Sequence, residues 1–146
     1  MMRDEAERPL LLDTHIWLWY VENDARRFAR RIEPLVEAAV QRGEVLISAI
    51  SVWEIAVLDS IRRIQLSHDV RTWVERALSF PGVRFKGLSP SIAIESACLP
   101  GPVHRDPADR ILIATARLTG AALVTCDERI LTYARQGHLR VLNANR

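Results

Sequence analysis

Leu10-Leu11-Leu12-Asp13-Thr14-His15-Ile16-Trp17-Leu18-Trp19 is the stretch on which the fold turns. Three leucines lead directly into a carboxylate, and an apolar, helix-like run follows. A short continuous apolar run is the pattern of a strand buried on both faces, as strands of a parallel sheet are. Asp13 then stands at that strand's carboxyl end, where open α/β sheets bind their ligands. On this reading Asp13 is one wall of an acidic, metal-holding pocket, and other strand ends supply the remaining walls.

Two more runs, Val45-Leu46-Ile47-Ser48 and Ala122-Leu123-Val124-Thr125, repeat the pattern. Val83-Arg84-Phe85 and the segment from Leu139 to Leu142 read as short additional strands. Helical patterns fill the intervals. One starts near Thr14. A second opens at the Asn23-Asp24 turn, with Phe28, Ile32, Val36 and Val40 recurring every fourth residue; Pro34 inside it predicts a kink or two short helices. Ile50 to Leu58 is apolar nearly all round, which predicts burial. Ser67-His68-Asp69 opens a helix with the stripe Val70, Trp73, Val74, Ala77 and Leu78. Helices are also expected over Pro90 to Cys98, from Pro107 through the apolar run Ile111 to Leu118, and from about Glu128 to Arg135. This βαβ alternation predicts one α/β domain over residues 10–146 with a mostly parallel central sheet, after a flexible polar extension over residues 1–9.

The 146 residues suit one core, and a hydrophobic content of 49% excludes a disordered chain. The net charge of +2 neither requires nor excludes a nucleic-acid partner. Lys86 is the only lysine. Arginine is the better phosphate clamp because its planar fork is bidentate, although a GC-rich coding sequence gives the same bias. Cys98 and Cys126 have no zinc spacing and read as buried thiols of a reducing compartment. The acidic start (Asp4, Glu5, Glu7) is unlike a signal peptide, and no apolar run is long enough to span a bilayer. The expectation is a soluble, cytoplasmic protein with no membrane partner.

Asp13, Glu54, Asp106, Asp109 and Asp127 fall where strands end or helices begin. Asp106 before Pro107 is an N-cap signature, which is the stronger reading for it against direct ligation. Asp109 in the first turn also suits the helix macrodipole. Asp13 and Asp127 taken singly are N-cap candidates too. Glu54 is different: it sits mid-helix among Val52, Trp53, Ile55, Ala56, Val57 and Leu58, where no cap is needed. A carboxylate there calls for a partner, either an arginine or a functional ligand. In a parallel sheet Asp13, Glu54, Asp109 and Asp127 can converge. Two carboxylates ~5 Å apart at an effective dielectric of ~20 repel by roughly 3 kcal/mol, so the bare cluster should be strained or partly protonated, and a divalent cation reverses that field. All-oxygen ligation suits Mg²⁺ or Mn²⁺ and points to phosphoryl chemistry. Arg105 and Arg110 flank the cluster as possible phosphate contacts or as ordinary solvated charges. Thr14, Ser48 and Thr125 are supporting candidates, with turn capping the equal alternative. His15 and His104 read as surface or satisfied histidines, and Trp17, Trp19 and Trp53 as core.

Taken in order, LLLDTHIWLW (10–19), SAISVWEIA (48–56), HRDPADRILIATA (104–116) and LVTCDERI (123–130) resemble PIN domains, and most closely the VapC-type ribonuclease toxins of type II toxin–antitoxin pairs. The resemblance covers Leu10 to about Leu142. It implies a three-layer α/β/α sandwich and a Mg²⁺- or Mn²⁺-dependent endoribonuclease, with Asp13, Glu54, Asp109 and Asp127 as the acidic quartet and Asp106 in support. It also implies a homodimer, a cognate antitoxin that blocks the site, and structured RNA such as tRNA or rRNA as substrate. The chain departs from the pattern at Leu58, where relatives often carry lysine, at Ala108, and after Asp127, where no second aspartate follows two places on. The alternative is a non-catalytic PIN-like module that grips RNA or protein. A haloacid-dehalogenase reading lacks its second aspartate, since His15 stands there; a receiver reading lacks a placed lysine, and a dinucleotide-binding reading lacks the glycine fingerprint.

Overall fold

The computed structural model describes residues 7–146, so the extension expected over residues 1–9 falls mainly outside the described residues. The strands are β1 (Leu10–Leu12), β2 (Val45–Ser48), β3 (Val83–Lys86), β4 (Ala122–Thr125) and β5 (Val141–Asn143). The helices are α1 (Thr14–Val21), α2 (Ile32–Arg42), α3 (Ala49–Ser60), α4 (Val70–Leu78), α5 (Pro90–Ala97), α6 (Pro107–Thr119) and α7 (Glu128–Ala134), with a single 3₁₀ turn at Ala25–Arg27.

Every strand pairing among the described residues is parallel, in the order β3-β2-β1-β4-β5. Side-chain alternation divides the core into two layers. Leu11 pairs with Leu46 on one side and Leu123 on the other, and these three pack against Leu112, Ile113 and Ile130. Leu10, Leu12, Val45, Ile47, Ala122 and Val124 face the other way, toward Ile16, Trp17, Val36, Ile55 and Trp73. Both faces are thus covered by helices, which is why the central strands read as unbroken apolar runs. On the second face Trp17 and Trp73 meet edge to face at 5.0 Å.

Short polar side chains set the helix starts. Asp13, Ser48, Asp69, Ser89, Asp106 and Asp127 each accept a backbone N–H from the first turn of the helix they precede. Gly43 and Gly120 close α2 and α6 in the left-handed conformation that glycine adopts without strain.

Four expectations are corrected. Pro34 makes no kink: α2 begins at Ile32, which puts the proline in the first turn, where its missing N–H has no intrahelical partner to lose. Phe28 is buried but precedes that helix. The all-apolar α3 is not buried all round. Only Ser51 and Ile55 are fully covered, and Trp53, read as core, is 59% exposed. Cys98, read as a buried thiol, is exposed, and Cys126 is half-buried.

Candidate active site

The strand order reverses between β1 and β4, because the chain runs from β1 outward to β3 and then returns to the other side of β1. Open α/β sheets place their ligand crevice at the carboxyl edge of such a switch point. Asp13 directly follows β1, and its backbone N–H extends the ladder to Val124 O at 3.0 Å. Asp127 follows β4 by one residue. The strand lengths and the parallel register therefore set these two acids side by side.

Hydroxyl groups tie the acids together. Thr125 Oγ1 donates to Asp13 Oδ2 at 2.6 Å and accepts the Asp127 N–H at 3.0 Å. Asp13 Oδ1 accepts the Thr14 N–H at 2.7 Å. Thr14 Oγ1 lies 2.6 Å from Glu54 Oε1 and 2.9 Å from Ser51 Oγ. Thr14 has one hydroxyl proton, so against an ionised Glu54 it donates to the carboxylate and Ser51 donates to Thr14. Thr14, Ser51 and Thr125 are all buried, which fixes these struts by packing. Glu54 is thus satisfied by a threonine; among the described residues no arginine pairs with it. Ser48 caps α3 by accepting the Ile50 N–H at 3.1 Å, the capping role held open for it from sequence.

On the α6 side, Asp106 accepts the Asp109 N–H at 3.0 Å, the capping contact its sequence signature predicts. Asp109 Oδ2 accepts from His104 Nε2 at 2.7 Å. Asp127 Oδ1 accepts the N–H groups of Arg129 and Ile130 at 2.9 and 3.1 Å. Capping and membership of the acidic group are therefore not alternatives for Asp13 and Asp127, since one side chain serves both.

The charges of these acids act on one another. Burial pushes the Asp13 carboxyl above its usual range; donation from Thr125 and from the Thr14 N–H pulls it back, and the Asp127 charge raises it further. Glu54 is raised chiefly by burial, is lowered by the Thr14 bond, and feels the charges of Asp13, Asp109 and Asp106. Asp109 is raised by burial, lowered by His104, and raised again by Asp106, Asp127 and Asp13. The expected strain is present, but loss of water is its larger source and mutual repulsion the smaller.

The arginines divide differently from the sequence expectation. Arg110 is bound to main-chain oxygens, with Nε to Ser96 O at 2.9 Å, Nη2 to Ala97 O at 3.3 Å and Nη1 to His104 O at 3.4 Å. It pins the end of α5 and the loop at His104, and is not presented as a phosphate contact. Arg105 is exposed. The arginine among the acids is Arg129, which the sequence reading did not assign. Its Nη2 is 3.4 Å from Asp109 Oδ2 and 4.0 Å from Asp106 Oδ2, and its Nε is 3.9 Å from Asp127 Oδ1. Its position two residues past Asp127 was the available signal. His104, read from sequence as a surface or satisfied histidine, is a satisfied one, and its partner is Asp109, five residues on.

Among the described residues no three carboxylate, imidazole or thiol groups are gathered tightly enough to enclose an ion. The donor chemistry nevertheless fits a hard cation. Asp13, Glu54, Asp109 and Asp127 offer carboxylate oxygens only, and the first three sit in partly dehydrated positions that penalise their charge. Carboxylates that repel one another draw together when a cation offsets the repulsion.

A family model described as "PIN domain" matches residues 10–136. The chain is 35% identical over 124 residues to "Ribonuclease VapC22" of Mycobacterium tuberculosis, covering 85% of this chain and 91% of the relative. Its fold matches the structure of VapBC2 from Rickettsia felis bound to a promoter DNA fragment, with TM-score 0.66, 16% identity and coverage of 93% and 98% of the two chains. It also matches DNA-bound VapBC from Salmonella typhimurium, with TM-score 0.60, 18% identity and coverage of 93% and 98%. At these identities the two structures speak for the fold alone.

Proposed function

The chain belongs to the PIN domain family and is of the VapC type, and on that premise we propose that it is a Mg²⁺- or Mn²⁺-dependent endoribonuclease, the toxin of a toxin–antitoxin pair. The observation that carries the reading is the buried hydroxyl network at the switch point, through which Thr14 and Thr125 link Asp13, Glu54 and Asp127. Asp109 lies in the same electrostatic field. Buried polar struts of this kind make sense where the acids they hold must keep one geometry.

In this reading Asp13, Glu54, Asp109 and Asp127 hold the ion. The chemistry a divalent ion supplies when bound is acidification of water and offset of charge on a phosphodiester. Thr125 and Thr14 orient Asp13 and Glu54, and by donating to them oppose the upward push that burial gives their carboxyls. Arg105, exposed before Asp106, is the phosphate contact left available once Arg110 is committed to carbonyls. The substrate is structured RNA, tRNA or rRNA. The partner is a cognate antitoxin, as the VapBC complexes of R. felis and S. typhimurium suggest. A homodimer is supported by apolar side chains left exposed on α3, β3 and α5, namely Trp53, Phe85 and Ile94. No helix among the described residues is long and apolar enough to cross a membrane, which agrees with a cytoplasmic site of action.

The test is cleavage of total RNA by the purified chain. Activity should need Mg²⁺ or Mn²⁺, stop with EDTA and be lost in Asp13→Asn, which keeps the α1 cap because asparagine caps as well as aspartate. RNA binding without cleavage under any divalent ion would favour the non-catalytic module instead.

A further inference from the structure

We propose that Arg129 is the resident counter-cation of this site: it balances the acids while no divalent ion is bound, and is released toward a substrate phosphate when one binds. The inference rests on the metal-dependent nuclease reading above.

Three observations carry it. First, the guanidinium spreads over three different carboxylates, those of Asp109, Asp106 and Asp127, at 3.4 to 4.0 Å. No bidentate fork locks it to one of them. This is how a mobile charge sits in a negative field, and it contrasts with Arg110, held by three carbonyls. Second, Arg129 lies in the first turn of α7, where the positive end of the helix dipole disfavours a cation. The position therefore does nothing for the helix itself, and the acids supply the reason for it. Third, the side chain is 59% exposed and borders an open cleft of about 380 Å³, whose walls include Pro102, Val103, His104, Glu128, Thr132 and Gln136. The arginine has space to leave the acids without disturbing the core.

A divalent ion carries twice the charge of the guanidinium and competes for the same oxygens. Binding of the ion and displacement of Arg129 are then linked, and the freed guanidinium supplies a planar phosphate donor. A grip that forms only after the ion is seated would keep RNA from occupying an unloaded site.

The experiment measures Mn²⁺ affinity by calorimetry for the full chain, Arg129→Gln and Arg129→Lys, with circular dichroism as a check on folding. Arg129→Gln should bind Mn²⁺ about 1.5-fold to fivefold more tightly, the range that exposed ion pairs supply, and Arg129→Lys should fall between. A second arm follows the anisotropy of a labelled, cleavage-resistant phosphorothioate RNA oligonucleotide. Arg129→Gln should bind it about tenfold more weakly in Mn²⁺, the loss of a charge-assisted pair, and as well as the parent in EDTA. Equal Mn²⁺ affinities overturn the role of Arg129 and leave the nuclease reading standing, and so does an oligonucleotide loss that is the same with and without the ion. If the parent chain takes up no Mn²⁺, the metal-dependent reading falls and this inference with it.

Discussion

Replacing Thr125 by valine tests whether the strut between Asp13 and Asp127 holds the site. Valine keeps the shape and the buried position, so the change isolates the hydroxyl. Thr125 is fully buried. Its Oγ1 donates to Asp13 Oδ2 at 2.6 Å and accepts the Asp127 N–H at 3.0 Å. A hydrogen bond to a charged group contributes about 1.5–3 kcal/mol, and a buried N–H left without a partner costs about 1–3 kcal/mol. The added methyl returns roughly 0.8 kcal/mol. The net loss is about 2–5 kcal/mol, which at this chain length lowers the melting temperature by about 6–15 °C. Thr125→Ser keeps both bonds and should lose much less.

The pH dependence adds a sign that simple packing damage would not. The folded-state pKa of Asp13 already lies above the ordinary aspartate value, and the Thr125 bond is the largest influence holding it down. Without that bond it rises further. As pH falls, the folded valine variant takes up its proton first, and the missing donor matters less once the carboxyl is neutral. The deficit should therefore be largest near neutrality and shrink in acid. Thermal melts in EDTA at several pH values check this. A deficit independent of pH, or a serine variant as damaged as the valine one, refutes the reasoning.

Glu54→Gln keeps the acceptor for Thr14 and removes a charge that burial, Asp13, Asp109 and Asp106 all penalise. Because the folded pKa of Glu54 is raised above 4.5, the carboxylate adds no penalty when both states are protonated; its cost builds as pH rises between the unfolded and folded values and is complete above the folded one. The variant should melt above the parent near neutrality and level with it in acid, while RNA cleavage falls by roughly a hundredfold or more, beyond what loss of an outer-shell partner costs; a lower neutral melting point would contradict this. Arg110→Lys replaces a fork that reaches three carbonyls with one ammonium, and should cost about 1–2 kcal/mol in denaturant titrations; no change would remove its assigned role at the end of α5. Glu22 Oε1 accepts from Trp73 Nε1 at 2.8 Å and Ser67 N at 3.0 Å, joining α1 to the start of α4. Glu22→Ala leaves the buried indole N–H unpaired and should cost about 2–3 kcal/mol, with a shift in tryptophan emission as the second readout.

What the sequence determined by itself was local or periodic. The runs LLL, VLIS and ALVT are apolar without alternation, and only a strand covered on both faces accepts that, so β1, β2 and β4 and the parallel sheet followed. Caps are contacts between neighbours in sequence, so the starts of α4, α6 and α7 were legible from Asp69, Asp106-Pro107 and Asp127. The parallel register then carried Asp13 and Asp127 to one edge. Tertiary structure alone decided the rest. An all-apolar helix gives no direction for its buried face, so the exposure of Trp53 depended on where the neighbouring elements end. The segment from Ser96 to His104 folds back on α6, and that return, invisible in spacing, commits Arg110 to main-chain oxygens and sets His104 on Asp109. Arg129 joined the acids for the same reason: which charge meets which is settled by segments far apart in the chain, and a sequence pattern records neighbours, not encounters.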